Sequence, residues 1–201
     1  MKRMFVLCLS AVLFCSAILF LPTAHDRAIY DKTLRLHVLA NSDSDEDQAN
    51  KLAVRDRLLE VVGEDLENCT DRKDAEKFIE ENKEVLTELC REVLMERGCE
   101  DAVSLTLSEE YYPTRHYEEV SLPAGKYLSL QVCIGEAKGQ NWWCVLYPPV
   151  CLGACSAKEK LENAGFDDDQ VKLVSGEKEI RYAVKFKVLE AVGKIFGRWF
   201  D

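Results

Sequence analysis

The stretch that most restricts the fold is Leu34–Asp56, LRLHVLANSDSDEDQANKLAVRD, which reads as a strand, a polar turn and a helix start in that order. Leu34, Leu36 and Val38 alternate with Arg35 and His37, the two-residue period of a strand with one face in a core. Asn41-Ser42-Asp43-Ser44 stops the strand. Ser44 with Asp47 three residues on has the spacing of a capping box. Ala49, Leu52, Ala53 and Leu59 then recur at helical spacing. Where strand hands over to helix the side chains turn polar, and that is where architectures of this kind usually carry function.

Ahead of this stretch, Lys2 and Arg3 precede Met4–Leu21, 18 residues without a charge, and Pro22-Thr23-Ala24 leads on to His25-Asp26. A basic start, an apolar middle and a small residue at the exit make a secretory signal. Cleavage after Ala24 would leave Pro22 where a small residue is preferred. Uncut, the 18 residues would reach about 27 Å as a helix, enough for a membrane anchor. The expected division is a signal peptide or N-terminal anchor over 1–24 and one exported domain over 25–201. Without Lys2 and Arg3 the chain holds 24 basic against 36 acidic residues, a balance of −12. Such a charge argues against a nucleic-acid binder or a polybasic membrane-surface protein. Roughly 177 residues suffice for a core without metals or many cross-links.

Downstream, Thr70–Arg97 is the most periodic segment. Ala75, Phe78, Ile79, Val85, Leu86, Leu89, Cys90, Val93 and Leu94 form one apolar stripe, and Gly98 follows as a C-cap would. The bland reading, a helix packed on a core with Cys90 as a small hydrophobe, outweighs a partner-binding helix. The period then changes to two. Val103–Leu107, Leu128–Ile134 and Trp142–Tyr147 read as strands, with turns at Leu122–Gly125 and Gly135–Gly139. Pro148-Pro149 ends the last strand. Lys158–Ala164 reads as a short helix and Glu179–Phe200 as a longer one closing over the sheet. The order predicts an α+β fold, an antiparallel sheet of about four to five strands in a meander, packed against amphipathic helices.

Candidate chemistry is thin. Asp43-x-Asp45-x-Asp47 opens like a calcium loop, but the sixth position is Gln48 and the twelfth Val54, and acids at a helix start complement its dipole anyway. No metal site and no cofactor is expected. Gly135-x-x-x-Gly139 lies between strands, which makes it a hairpin turn and not a phosphate cradle. Seven cysteines lie outside the signal, and export permits disulfides. Cys144 and Cys151 bracket Pro148-Pro149, a bend that can return one to the other, and closing that ring would stabilise by about 2.5 kcal/mol. Cys151 with Cys155 is the other pairing the spacing allows. Cys151 with His37 and an orienting Asn41 or Asp43 would supply the parts of an exported thiol-dependent hydrolase. A single His on a strand is more often a hydrogen-bonded structural residue, and a nucleophile would have to escape oxidation. No H-E-x-x-H, G-x-S-x-G, P-loop or D-[ST]-G pattern occurs, so no catalytic residue is assigned. Alternation sends Trp142 and Trp143 to opposite faces of their strand. One can be core; the other needs cover from the C-terminal helix or from a partner.

Two blocks, Arg35–Asp56 and Leu122–Cys151, carry a resemblance. N-S-D followed by D-Q and K-x-x-V-R-D, and then N-W-W-C-V-x-x-P-P-x-C, resemble the stage II sporulation protein R family of endospore-forming bacteria. The blocks and the segments between them cover nearly all of the exported region except Leu152–Asp201. Ala137 departs from the pattern, where Gly is usual, and the departure falls on a turn. The resemblance implies a secreted signalling protein and not an enzyme. It would be exported from the forespore into the space between forespore and mother cell, where it would activate a membrane-embedded aspartic protease that processes a sigma-factor precursor. The residues expected to meet that partner are Arg35, His37, Asn41, Asp43 and Asp47 at one strand–helix junction, with Trp142 and Trp143.

Overall fold

The computed structural model describes residues 24–117, 120–150 and 157–175. The signal or anchor expected over 1–24, the cysteines Cys151 and Cys155, and the helix expected over Glu179–Phe200 fall outside these residues, apart from Ala24. The elements are α1 (Ala24–Asp31), β1 (Leu34–Leu39), α2 (Asp45–Glu67), α3 (Arg72–Glu96), β2 (Val103–Tyr112), β3 (Arg115–His116), β4 (Ser121–Leu122), β5 (Gly125–Ile134), β6 (Asn141–Tyr147), α4 (Ala157–Asn163) and α5 (Asp168–Val174).

The α+β class and the four-stranded sheet packed against helices are as the sequence predicts, but the strand order is not that of a meander. The sheet runs β2-β5-β1-β6. β1 pairs in parallel with β5, Leu36 opposite Leu130, and antiparallel with β6, Leu36 opposite Cys144. β2 and β5 pair antiparallel over ten residues. Thus β1, first in sequence among the strands, lies between two of the last, and Gly135–Gly139 is not a hairpin turn. It crosses the C-terminal end of β1 to bring the chain from β5 to β6. Alternation identifies a strand and its faces but not its neighbours.

Both faces of the sheet are covered. Leu34, Leu36 and Val38 point to the side where Val54, Leu58 and Val62 of α2 and Ile79, Leu86 and Leu94 of α3 complete one core. A fully buried side chain of this kind contributes about 1.5–3 kcal/mol. The opposite face carries a second core of Ile29 from α1, Tyr112, Tyr127 and Val145 from the sheet, and Leu161 and Val171 from α4 and α5. Strand β1 is therefore buried on both sides over Leu34–Leu36. Helix α2 runs without a break through Gly63 to its C-cap at Asn68, because Val62 and Leu66 continue its apolar stripe into the core on either side of the glycine. Helix α3 begins where the Asp71 carboxylate accepts the N–H groups of Lys73 and Asp74. It ends at Gly98, whose φ of +74° suits a residue without a Cβ.

Candidate functional site

The polar turn after β1 and the crossing loop after β5 hold each other. Asn41 Oδ1 accepts the Glu136 N–H at 2.9 Å, and Asp43 Oδ1 accepts the Gln140 N–H at 2.7 Å. The backbone oxygens of Asn41 and Ala40 accept from Lys138 and Gly139. Beneath them Asp47 N donates to Ser44 Oγ, which is one half of the predicted capping box. The other half is not made. The Asp47 carboxylate turns back to accept from Ser42 Oγ at 2.5 Å and Asn41 Nδ2 at 3.3 Å. The hydrogen bond from Ser42 holds its carboxyl below the usual range against the upward push of desolvation, with help from Ser44 and Asn41. Gln48 Nε2 donates to Ser42 O. Lys51, almost wholly buried, donates to Gln48 and to Gln140 O; desolvation, then Arg55, pushes its pKa down, and Asp43 opposes. The N-S-D, D-Q and K elements of the sequence thus form one clasp between segments about 95 residues apart.

No second residue can stand in for glycine at the tightest point of that clasp. A Cβ on Gly139 would lie 2.2 Å from Ser42 O, a backbone atom.

Arg35, expected at the surface with the other junction residues, is fully buried and cannot touch a partner in this structure. Its side chain leaves β1 on the face opposite to Leu36. Nε donates to Cys144 O at 3.0 Å and Nη2 to Tyr117 Oη at 2.6 Å. The guanidinium lies 4.2 Å from the Tyr112 ring centroid and 5.0 Å from that of Tyr127. Nη1 has no hydrogen-bond partner among the described residues. Aromatic faces are what make such a cation tolerable away from water. The strand's alternation put Arg35 on the polar side, and the second core then covered that side.

His37, one pleat further, stays half-buried. Its Nδ1 lies 3.1 Å from Glu110 Oε1 and its Nε2 2.9 Å from Asn141 Oδ1. Gln131 Nε2 also donates to Glu110. Burial pushes the Glu110 carboxyl up, but the hydrogen bonds from His37 and Ser129 and the attraction of His37 outweigh it and leave it below its ordinary value. The imidazole stacks on Trp143 with centroids 5.5 Å apart, and the Arg115 guanidinium covers that indole at 3.6 Å. Gln131 comes from β5, beside β1, and Glu110 from β2 beyond it; no local pattern announces that order, so sequence reasoning missed them. His37 shares its face with Trp143, while Cys144 shares the opposite face with Leu36.

The two tryptophans do point to opposite faces. Trp143 is covered as described; Trp142 lies on the α2 side, stacked on Arg55 at 4.1 Å and still 38% exposed. Arg55 in turn pairs with Asp56 at 2.5 Å. The V-R-D element therefore supplies a core side chain, the support of Trp142 and the support of that support. Asp43 remains exposed, and Asn41 and Asp47 are half-buried within the clasp.

Cys144 is disulfide-bonded, and its partner lies outside the described residues. Cys69, Cys90, Cys99 and Cys133 are free thiols. Burial leads the upward push on all four, reaching about 12 for Cys90. None is an activated thiolate. Among the described residues no group of acids, histidines and cysteines could hold a metal ion, and no helix is long and apolar enough to cross a membrane. A cleft of about 300 Å³ between Cys69, Pro148 and Lys160 adjoins the second proline of the β6 exit.

Fold and site together define an α+β domain with a two-sided sheet, whose sequence motifs join loops and brace an exposed indole. A family model described as stage II sporulation protein R matches residues 30–157, and the chain belongs to that family. Stage II sporulation protein R of Bacillus subtilis (strain 168) is 29% identical over 161 residues, which cover 76% of this chain and 72% of the relative. No solved structure matches the chain.

Proposed function

We propose that this sporulation protein is a secreted signal that works by binding. Made in the forespore and exported through its N-terminal segment, it acts in the space towards the mother cell on a membrane-embedded aspartic protease that processes a sigma-factor precursor. The observation that carries this reading is the family match over 30–157. The structure supports it through the fate of the motif residues. They build a hydrogen-bonded junction with Trp142 at its margin, and the thiols described are pushed towards the unreactive form. Activation by binding requires a difference in affinity. Each tenfold preference for the active over the resting protease shifts its equilibrium by about 1.4 kcal/mol. Cys151 is the proposed partner of Cys144. Peptide mapping without reduction should return one cross-linked peptide that contains both; a Cys144–Cys155 peptide would replace that pairing.

The test is reconstitution. Purified exported domain is added to membranes that carry the protease and its precursor. Cleavage on addition, and none without it, is expected. Cleavage that needs no added protein, or turnover of a peptide or cell-wall substrate by the isolated domain, would overturn the reading.

A further inference from the structure

The junction presents one corner to solvent whose composition the fold does not require. Trp142 and Leu52 are 38% and 36% exposed. Leu52 stands one helical turn before Arg55, on the same flank of α2, and Arg55 is the residue stacked on Trp142. Leu52 is therefore the helix-surface neighbour of the residue that carries the indole. Asp56 holds that guanidinium, so the indole is braced before any partner arrives. A rigid indole loses little side-chain freedom on binding, which is why Trp so often anchors interfaces. Strand β6 is an edge of the sheet, so no other strand of that sheet closes the approach.

Asp43 accepts the N–H of Gln140, two residues before Trp142, and Asp45 lies two helical turns before Leu52 on the same face of α2; both are exposed, as is Glu46 next to them. Arg55, the cation inside the corner, is paired with Asp56, and Lys51 is turned inward onto Gln48 and Gln140 and is only 4% exposed. Among the described residues Asp45 and Glu46 make no ion pair. Val85 and Met95 of α3 are more exposed, at 69% and 63%, but they are single aliphatic side chains of the kind any surface carries.

We propose that the Trp142–Leu52 corner, rimmed by Asp43, Asp45 and Glu46, is the docking surface for a partner-protein segment that carries an apolar anchor flanked by lysine or arginine. This rests on the reading that the protein acts by binding. Charge decides the occupant. A second copy of the chain would bring two acidic rims together, and an anionic bilayer would repel the rim. A cation-flanked apolar segment satisfies both parts at once, and rim charges of this kind act on the rate of encounter and its salt dependence.

The experiment compares wild type with W142A, L52K and D45K/E46K, with V85K as control, in membranes with and without the protease and its precursor. Two readings are taken, the concentration for half-maximal cleavage and co-sedimentation with the membranes. Near-ultraviolet circular dichroism and thermal melting identify the folded variants; L52K and D45K/E46K change exposed side chains and keep the test valid if W142A unfolds. Expected are a tenfold or greater rise in half-maximal concentration for W142A and L52K, about fivefold for D45K/E46K, no change for V85K, and wild-type binding that weakens with salt. Normal cleavage and binding by the folded corner variants would remove the corner and leave the protease reading standing. Protease-independent binding that the corner variants abolish would do the reverse. No binding and no cleavage by wild type would end both, and loss of wild-type self-association in the corner variants would assign the surface to a second copy instead.

Discussion

The side-chain oxygen of Asn41 accepts the backbone N–H of Glu136 at 2.9 Å, joining the end of β1 to the start of the crossing loop. The same amide donates to Asp47, so one side chain ties strand, loop and helix start together. Asn41→Ala leaves a backbone donor and a carboxylate under-paired. A loss of about 1–3 kcal/mol is expected in urea denaturation, with hydrogen exchange at Glu136 rising before global unfolding. Unchanged exchange there would show that the clasp is not where the loop is held.

Gly139→Ala sets a methyl group against Ser42 O. Backbone on both sides must move, and about 2 kcal/mol or more should be lost from the melting curve. The loss should not add fully to that of Asn41→Ala, since both variants open the same contact.

Ala137 adopts a φ of +52°, a conformation that favours glycine over alanine. A left-handed alanine costs about 1–2 kcal/mol, and glycine returns part of that as freedom in the unfolded chain. Ala137→Gly should therefore stabilise by about 0.5–1 kcal/mol, seen as a higher melting temperature. A lower one refutes the strained turn.

Arg35 should tolerate neither lysine nor methionine. Lysine cannot reach Cys144 O and Tyr117 Oη from a planar fork, and methionine leaves both without a donor. Each substitution should remove about 2–4 kcal/mol. A cost below about 1 kcal/mol for Arg35→Met would mean that packing alone, and no hydrogen bonding, keeps the arginine there.

Acid should weaken the junction and the His37 row together. Asp47 and Glu110 both have folded values below their ordinary 3.8 and 4.5. A depressed carboxyl stabilises fully above its unfolded value, and that contribution disappears as the pH falls through the folded value. Stability should thus hold down to about pH 4.5 and drop below about pH 4. Glu110→Gln and Asp47→Asn should each flatten that acid slope while lowering stability at neutral pH. An unchanged slope in both variants would place the acid sensitivity elsewhere.

What the sequence determined by itself is local. The two-residue and 3.6-residue periods, the Ser44 cap, the stop at Gly98 and the opposite facing of Trp142 and Trp143 all follow from neighbours a few positions apart, and each is present. Tertiary structure decided what depends on residues distant in the chain. Parallel pairing of β1 with β5 placed β1 inside the sheet, and this turned an expected hairpin into a loop crossing over Asn41. The second core then buried Arg35, which alternation alone had left on the polar face. A strand's pattern reports which side chains share a face. Which element covers that face is set by competition among all the apolar surfaces of the chain, and no local period records its outcome.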